Sequence, residues 1–426
     1  MSETGIRVAV VGGGSSYTPE LVDELLAHRD IPVERITLLD IPEGRDKQEV
    51  ILDLARRMAR RVGRAITIEA TLDRERALAG ADFVCAQYRV GGLKARVRDE
   101  TIPLAHGRIG QETVGAGGFL KALRTVPVAI DLGRAVERLC PDAWILNFTN
   151  PSGLVSEAVI RHAWPRTIGL CNAPMVIERT IAERLHAPPG SLRLSMVGLN
   201  HLSIVRAIEF QGQDILEAVV EAFVAGGRWP DGPSLTPADS EFLRALGVLP
   251  NSYLRYYWLP ERMLAEEQRR VHEGRGTRAE EVLHIEAELF ARYRDPALAE
   301  KPPELSLRGG AFYSEVAVDV LEAIVLDRQR EMVVNVLNQG AVAELPGDVS
   351  IEVSAIVDGR GAHPLPQAPL PLAFSGLVHQ MKAYEELTIE AALTRDRGRA
   401  LQALTLNPLV GSIEAAAAIL NDAWPA

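Results

Sequence analysis

The sequence predicts an α/β chain: a doubly wound parallel sheet over residues 1–170, followed by an α+β domain over 171–426. Three observations carry that reading. Short apolar runs alternate with amphipathic ones through roughly the first 200 residues, and a glycine-rich turn follows the first apolar run. Beyond about residue 190 the texture changes to longer strand-like runs mixed with helical stretches. Strand–helix alternation builds a sheet covered on both faces, whose strands read as unbroken apolar segments.

Taken in order, "IRVAVVG" (6–12) is such a strand. Thr18-Pro19 opens a helix, with Thr as cap and Pro in the first turn, and "ELVDELLAH" supplies its apolar stripe. "RITLLD" (35–40), "AITIEA" (65–70), "ADFVCAQYRV" (81–90), "AWILNFTN" (143–150) and "RTIGLCN" (166–172) read as further strands, with helical patterns such as 44–61 and 127–140 between them. In the second part, "SLRLSMVGLNHLSIVRAIEF" reads as one or two longer strands, and a Pro/Gly-rich loop covers 226–237. Helices are expected at 238–246 and 279–294, and "AFYSEVAVDVLEAIV" is strand-like. "EMVVNVLNQG" and "AELPGDVSIEVSAIVDGRG" read as strands joined by turns, and 371–423 is a closing helical block.

The chain has 426 residues, 47% hydrophobic and 24% charged, an ordinary globular composition with room for two domains. Its 46 basic and 57 acidic residues leave a net charge of −11. That balance argues against a nucleic-acid partner and leaves room for a local basic pocket. Three widely spaced cysteines, Cys85, Cys140 and Cys171, speak against a disulfide framework and for a cytoplasmic setting. "MSETGIRVAVVGGG" lacks the pattern of a signal peptide, and no apolar run reaches the roughly 18–20 residues of a membrane span, so no membrane partner is expected.

Gly12 and Gly14 stand between a strand and a helix start, where backbone approaches a pyrophosphate closely and free amides favour an anion. Tyr17 occupies the place of the third glycine in G-x-G-x-x-G. Asp40 ends the second strand, where a carboxylate takes the hydroxyls of an adenosine ribose. Gly12, Gly14, Ser15, Ser16, Tyr17 and Asp40 are therefore the expected cofactor contacts of a Rossmann-type domain, with NAD+ favoured over its 2′-phosphorylated form.

Ligands of open α/β sheets gather outside the carboxyl ends of the strands. Asn147 and Asn150 end one expected strand, Cys171 and Asn172 another, and Asn200-His201 interrupt "SMVGLNHLSIV". A lone Cys or a strand His is most often packed core. Together at strand ends, a thiolate and an imidazole also form a donor pair for a divalent metal with positions open to substrate oxygens. The segment 88–118, dense in Arg, Glu and Gly, reads either as a solvated loop or as an active-site crossover. Tyr253, Tyr256 and Tyr257 lie at helical spacing, as a core stripe or with one phenol serving as a base.

"GGGSSYTPEL", "YRVGGLKAR", "GQETVGAGG", "NFTNPSG", "GLCNAP", "GLNHLS", "YLRYY", "TRAEEV" and "RGGAFYSEVA" occur in the order seen in glycoside hydrolase family 4. Over roughly residues 6–420 the chain resembles the 6-phospho-β-glucosidase branch of that family. The resemblance implies a fold like that of lactate and malate dehydrogenases, bound NAD+, and a divalent metal, usually Mn²⁺, on Cys171 and His201. It implies a route apart from the two-carboxylate mechanism of most glycosidases. NAD+ takes a hydride from C3 of the sugar, and the metal polarises the resulting ketone. A tyrosinate then removes the C2 proton and the aglycone leaves by elimination. Addition of water and return of the hydride complete hydrolysis.

By position, Tyr253 matches the base and Glu112 the carboxylate that raises its basicity. Arg96, Asn150 and Arg278 match substrate contacts, with Arg89 and Arg308 as further candidates for a phosphate. Asn172 stands where α-specific members carry Asp as the acid, which implies a β-linked substrate. The expected partner is a phosphorylated sugar, and the expected assembly a homodimer or homotetramer. Two other enzymes stay open: an NAD-dependent 2-hydroxy-acid or sugar dehydrogenase, and a family member acting on unphosphorylated glycosides. A non-catalytic NAD-binding sensor would leave the Arg, Glu and Tyr set without use.

Overall fold

A computed structural model describes residues 5–229 and 232–424. The first four residues of the N-terminal stretch and two residues of the expected 226–237 loop lie outside that range. Six strands, β1 (Ile6–Val11), β2 (Val33–Leu39), β3 (Thr67–Thr71), β4 (Phe83–Ala86), β5 (Trp144–Asn147) and β6 (Thr167–Gly169), lie parallel in the order β3-β2-β1-β4-β5-β6. Val8, Val10, Val84 and Leu146 at the centre of this sheet are fully or almost fully buried, as helices on both faces require.

The sheet does not end at β6. The later strands are β7 (Arg193–Leu199), β8 (Leu202–Phe210), β9 (Gln213–Asp214), β10 (Leu249–Pro250), β11 (Arg330–Leu337), β12 (Ser350–Asp358) and β13 (Gly361–Pro364). Asn335 of β11 pairs antiparallel with Gly169 of β6, and β12, β7, β8 and β10 follow outward, all antiparallel. Strand order reverses between β1 and β4, so the crevice at their carboxyl ends is the place for a ligand. Among the described residues no helix is long and apolar enough to cross a membrane.

Several expectations change. "SEVAVDVLEAIV" is a helix, Tyr313–Val325, and not a strand. Ten of its residues from Ser314 to Ile324 are buried, and the alternation of Val316, Val318 and Val320 mimics a strand, masking the helical spacing of Glu315, Asp319 and Glu322. Segment 88–118 is not a loop but carries one helix, Gly92–Ala105, and the start of another, Gly115–Leu139. Its charges are paired inward: Arg124 donates to both oxygens of buried Asp99 at 2.8 and 2.7 Å. The second helix starts well before residue 127 because Pro127 lies inside it, where the sequence reads as a start. Thr18 is the first helical residue rather than the cap, which is Tyr17. "SLRLSMVGLNHLSIVRAIEF" forms two strands, a hairpin with Asn200 and His201 at its turn.

Candidate active site

The strand ends open into a cavity of about 1760 Å³. At one end lies the glycine turn. Gly12 has φ +85°, and a Cβ there would meet the Tyr88 Cα at 2.9 Å. Asp40 supports the turn: its Oδ2 accepts from the Gly14 amide at 2.6 Å and its Oδ1 from the Ile41 amide at 2.8 Å. A Cβ at Gly14 would fall 2.7 Å from that Asp40 oxygen, so only glycine lets the two approach. Gly12, Gly14, Ser15, Tyr17 and Asp40 all line the cavity.

Ser16 does not line it. Its hydroxyl donates to Glu286 at 3.1 Å and accepts from Arg308 Nε at 2.6 Å, which ties the turn to a distant segment. The Tyr17 hydroxyl donates to the Gly310 carbonyl at 2.6 Å, and its ring meets Tyr313 edge-on at 6.5 Å. Tyrosine in place of the third glycine is thus a packing residue against 308–314.

Deeper in the cavity, Glu112 accepts from Arg89 and from Lys121 at 3.0 Å, and forms an ion pair with Arg96 at 3.2 Å. Burial works to raise its carboxyl, but Arg89, Arg96 and Lys121 together outweigh that and hold it well below the usual carboxylate range. Burial, reinforced by Arg89, pushes the Lys121 ammonium down to about 7. Arg96 is fixed on its other side by Glu100 at 2.8 Å. Tyr253 caps the short helix Leu254–Trp258 and lines the same space. Its phenol is pushed up by burial, then by Cys171, Tyr256 and Glu112.

Cys171 follows β6 and His201 sits at the β7–β8 turn with φ +63°; both are buried behind the cavity lining. Burial and Glu352 push the Cys171 thiol well above its ordinary value. Burial and Lys121 push the His201 imidazole down to about 3, so it is neutral, the form that binds a metal. His201 stacks on the ring of Tyr253, and Cys171 is among the groups that push that phenol up. No cluster of three or more His, Cys, Asp or Glu suited to a metal occurs among the described residues. A neutral imidazole and a thiol at one phenol fit an open two-ligand site rather than a closed cage.

Asn150, Asn172 and Arg278 reach the cavity from three elements. Asn150 contacts the Tyr313 hydroxyl at 3.5 Å and leaves its buried Oδ1 without a partner. Asn172 donates to the Ala311 carbonyl at 2.9 Å. Arg278 donates to the Leu307 carbonyl at 2.7 Å and pairs with Glu281 at 2.9 Å.

Models of two family domains match the chain: "Family 4 glycosyl hydrolase" over residues 7–187 and its C-terminal domain over 196–410. The chain belongs to glycosyl hydrolase family 4. Within that family it is 42% identical to a probable 6-phospho-β-glucosidase of Bacillus subtilis, over 98% of this chain and 95% of the relative. A Thermotoga maritima 6-phospho-β-glucosidase, solved with manganese, NAD+ and glucose-6-phosphate, superposes with a TM-score of 0.87 at 35% identity, covering 98% and 97% of the two chains. Malate dehydrogenase from Plasmodium falciparum shares the Rossmann-like fold alone, at a TM-score of 0.54 and 12% identity over 91% and 99%.

Two buried charges of this family 4 chain escaped sequence reasoning. Lys121 sits in a long helix, where a lysine ordinarily reads as solvated. Glu352 does carry a signal: it is an acid inside the apolar run "VSIEVSAIV", in the strand β12.

Proposed function

We propose that the chain hydrolyses 6-phospho-β-glycosides, such as phosphorylated cellobiose-type disaccharides or aryl β-glucosides, using NAD+ and Mn²⁺. One observation carries this reading. A single cavity is reached at once by the Gly12–Gly14 turn, the Glu112 cluster and Tyr253, with asparagine at 172. The 6-phospho-β-glucosidase relatives support the substrate class. The assembly is a homodimer or homotetramer in the cytoplasm, in which residues 1–170 serve the nucleotide and 171–426 the metal and sugar.

When bound, NAD+ supplies a reversible hydride acceptor and Mn²⁺ a Lewis acid at the sugar oxygens. Gly12, Gly14 and Ser15 hold the pyrophosphate side, Ser16 and Tyr17 brace that turn against Glu286 and 308–314, and Asp40 takes the ribose hydroxyls. Cys171 and His201 hold the metal. Arg96, Asn150 and Arg278 orient the sugar and its phosphate through charge-assisted hydrogen bonds. Tyr253 takes the proton from C2, and Glu112 tunes the phenol as an acceptor. Burial pushes that phenol above its ordinary value of about 10, already too high for a base near neutrality, so the positive charge of the bound metal and cofactor would have to favour the phenolate. Asn172 cannot give up a proton, which suits an aglycone expelled by elimination without strong acid help.

The test is a set of chromogenic β-glycosides with and without 6-phosphate, in NAD+, Mn²⁺ and reductant, followed at 340 nm. Aglycone release from the phosphorylated set without net NADH supports the reading. Stoichiometric NADH would make the protein a dehydrogenase, and equal turnover of both sets would remove the phosphate requirement.

A further inference from the structure

Behind the cavity runs a buried polar network that the reaction above does not use. Its hub is Glu352 in β12, which is fully buried. Glu352 Oε1 accepts from Asn200 Nδ2 at 3.0 Å and from Asn335 Nδ2 at 3.4 Å, and its Oε2 accepts from the Ser203 hydroxyl at 2.7 Å. Ser203 Oγ also accepts from Asn251 Nδ2 at 3.1 Å, and Asn251 Oδ1 accepts from the Tyr253 amide at 3.1 Å.

One side chain is therefore linked to three parts of the centre. Its bonds reach two of them directly and the third through a relay: Asn200 directly precedes His201 at the hairpin turn, Asn335 is the neighbour of β6 in the sheet, and Ser203 with Asn251 leads to the backbone of Tyr253. Ser203, Asn251 and Asn335 are as fully buried as Glu352, so bulk solvent does not reach these bonds. Among the described residues no lysine or arginine pairs with Glu352, unlike buried Glu112 and Glu157. A buried carboxyl without a cation is costly, and here its two oxygens accept from three donors on two separate segments, the β7–β8 hairpin and β11. Such networks fix the orientation of the groups they hold.

We propose that Glu352 is a positioning residue that sets His201 and Tyr253 in one geometry for the metal and the base. The inference rests on the metal reading above. A scaffold role confined to the sheet would cost stability and leave the metal affinity of the folded protein unchanged. A positioning role loosens the metal site itself.

Glu352→Gln preserves size but puts a donor where one acceptor oxygen stands, so at least one of the Asn200 and Ser203 links is lost. Free Mn²⁺ is counted by electron paramagnetic resonance during titration of the full-length protein, and NAD+ binding is followed separately by fluorescence. The expected result is Mn²⁺ affinity weakened by about 10- to 100-fold, with NAD+ affinity unchanged and kcat lowered more than KM is raised. Wild-type Mn²⁺ affinity in the folded variant would overturn the proposal. If Glu352→Gln does not fold, Asn200→Ala cuts only the arm to the hairpin turn. It should weaken Mn²⁺ binding several-fold, and wild-type affinity there overturns the proposal equally. Wild-type protein that binds no Mn²⁺ would instead bring down the metal reading, and this inference with it.

Discussion

The imidazole of His201 lies flat on the phenol ring of Tyr253, with ring centroids 3.8 Å apart and planes inclined by 3°. The candidate metal ligand and the candidate base are therefore one packed unit, and each fixes the tilt of the other. Phenylalanine at 253 keeps the stack and removes only the hydroxyl. Tyr253→Phe should leave Tm within a few degrees and lower hydrolysis by about 10²- to 10⁴-fold. In D₂O with NAD+ and Mn²⁺, nuclear magnetic resonance should find deuterium at C2 of the product for the wild type only. Strong exchange in the variant would move the base to Tyr256 or Tyr257.

Cys171→Ser should fold and lose Mn²⁺ binding. In the wild type the thiol is held protonated by burial and by Glu352, whereas His201 is already neutral above about 3. Binding a divalent cation must then displace one proton, from the thiol. The sign follows: Mn²⁺ affinity rises with pH, by about tenfold per unit across pH 6–8, and calorimetry in buffers of different ionisation heat counts the proton. A pH-independent affinity would exclude Cys171 as a thiolate ligand.

Arg278 spends part of its fork on the Leu307 carbonyl and on Glu281, yet it still lines the cavity. Arg278→Ala should raise KM for a 6-phosphoglycoside by about 10- to 100-fold, and far less for the unphosphorylated analogue. Equal effects on the two substrates would mean that it does not read the phosphate.

The Asp40–Gly14 contact makes a sharp test of the cofactor end. A methyl group at residue 14 would stand 2.7 Å from Asp40 Oδ2 and 3.1 Å from the Gln48 amide nitrogen. Gly14→Ala should weaken NAD+ binding at least about tenfold, measured by fluorescence titration, while Mn²⁺ binding stays as in the wild type.

Glu267 lines the cavity and accepts from the Gly110 amide at 2.7 Å. Burial, with Glu100 and Glu266 adding to it, raises its carboxyl to about 7. The folded state thus favours the protonated acid. Its contribution is fully present below the ordinary value of about 4.5 and is lost as pH climbs through about 7. Glu267→Gln, always neutral, should match the wild type in Tm at pH 4.5 and exceed it by about 1–2 °C at pH 8.

Local pattern determined a good deal of this protein from sequence alone. The unbroken apolar runs marked β1, β2, β4 and β5, because strands buried on both faces admit little else. Glycines at 12 and 14 marked a turn that must pass close to other backbone and to Asp40, and both glycines proved to be needed sterically. Asn200-His201, two polar residues interrupting an apolar stretch, left open whether one strand or two lay there, and the fold turns the hairpin at that point. The order of short motifs identified the family.

Tertiary structure decided what depends on partners distant in sequence. The helix Tyr313–Val325 looks like a strand because Val316, Val318 and Val320 alternate, and its acids Asp319 and Glu322 find their arginine partners only in the folded chain. The charges of Gly92–Ala105 look solvated because Asp99 and Arg96 meet Arg124 and Glu112 only after folding. Tyr17 looks like a flaw in the glycine motif until Gly310, 293 residues away, supplies the carbonyl its hydroxyl needs. Glu352 reaches Ser203 across 149 residues. Propensity and periodicity act over a few residues, whereas a buried charge or hydroxyl is satisfied by whatever the chain brings back to it, and only the folded sheet makes that choice.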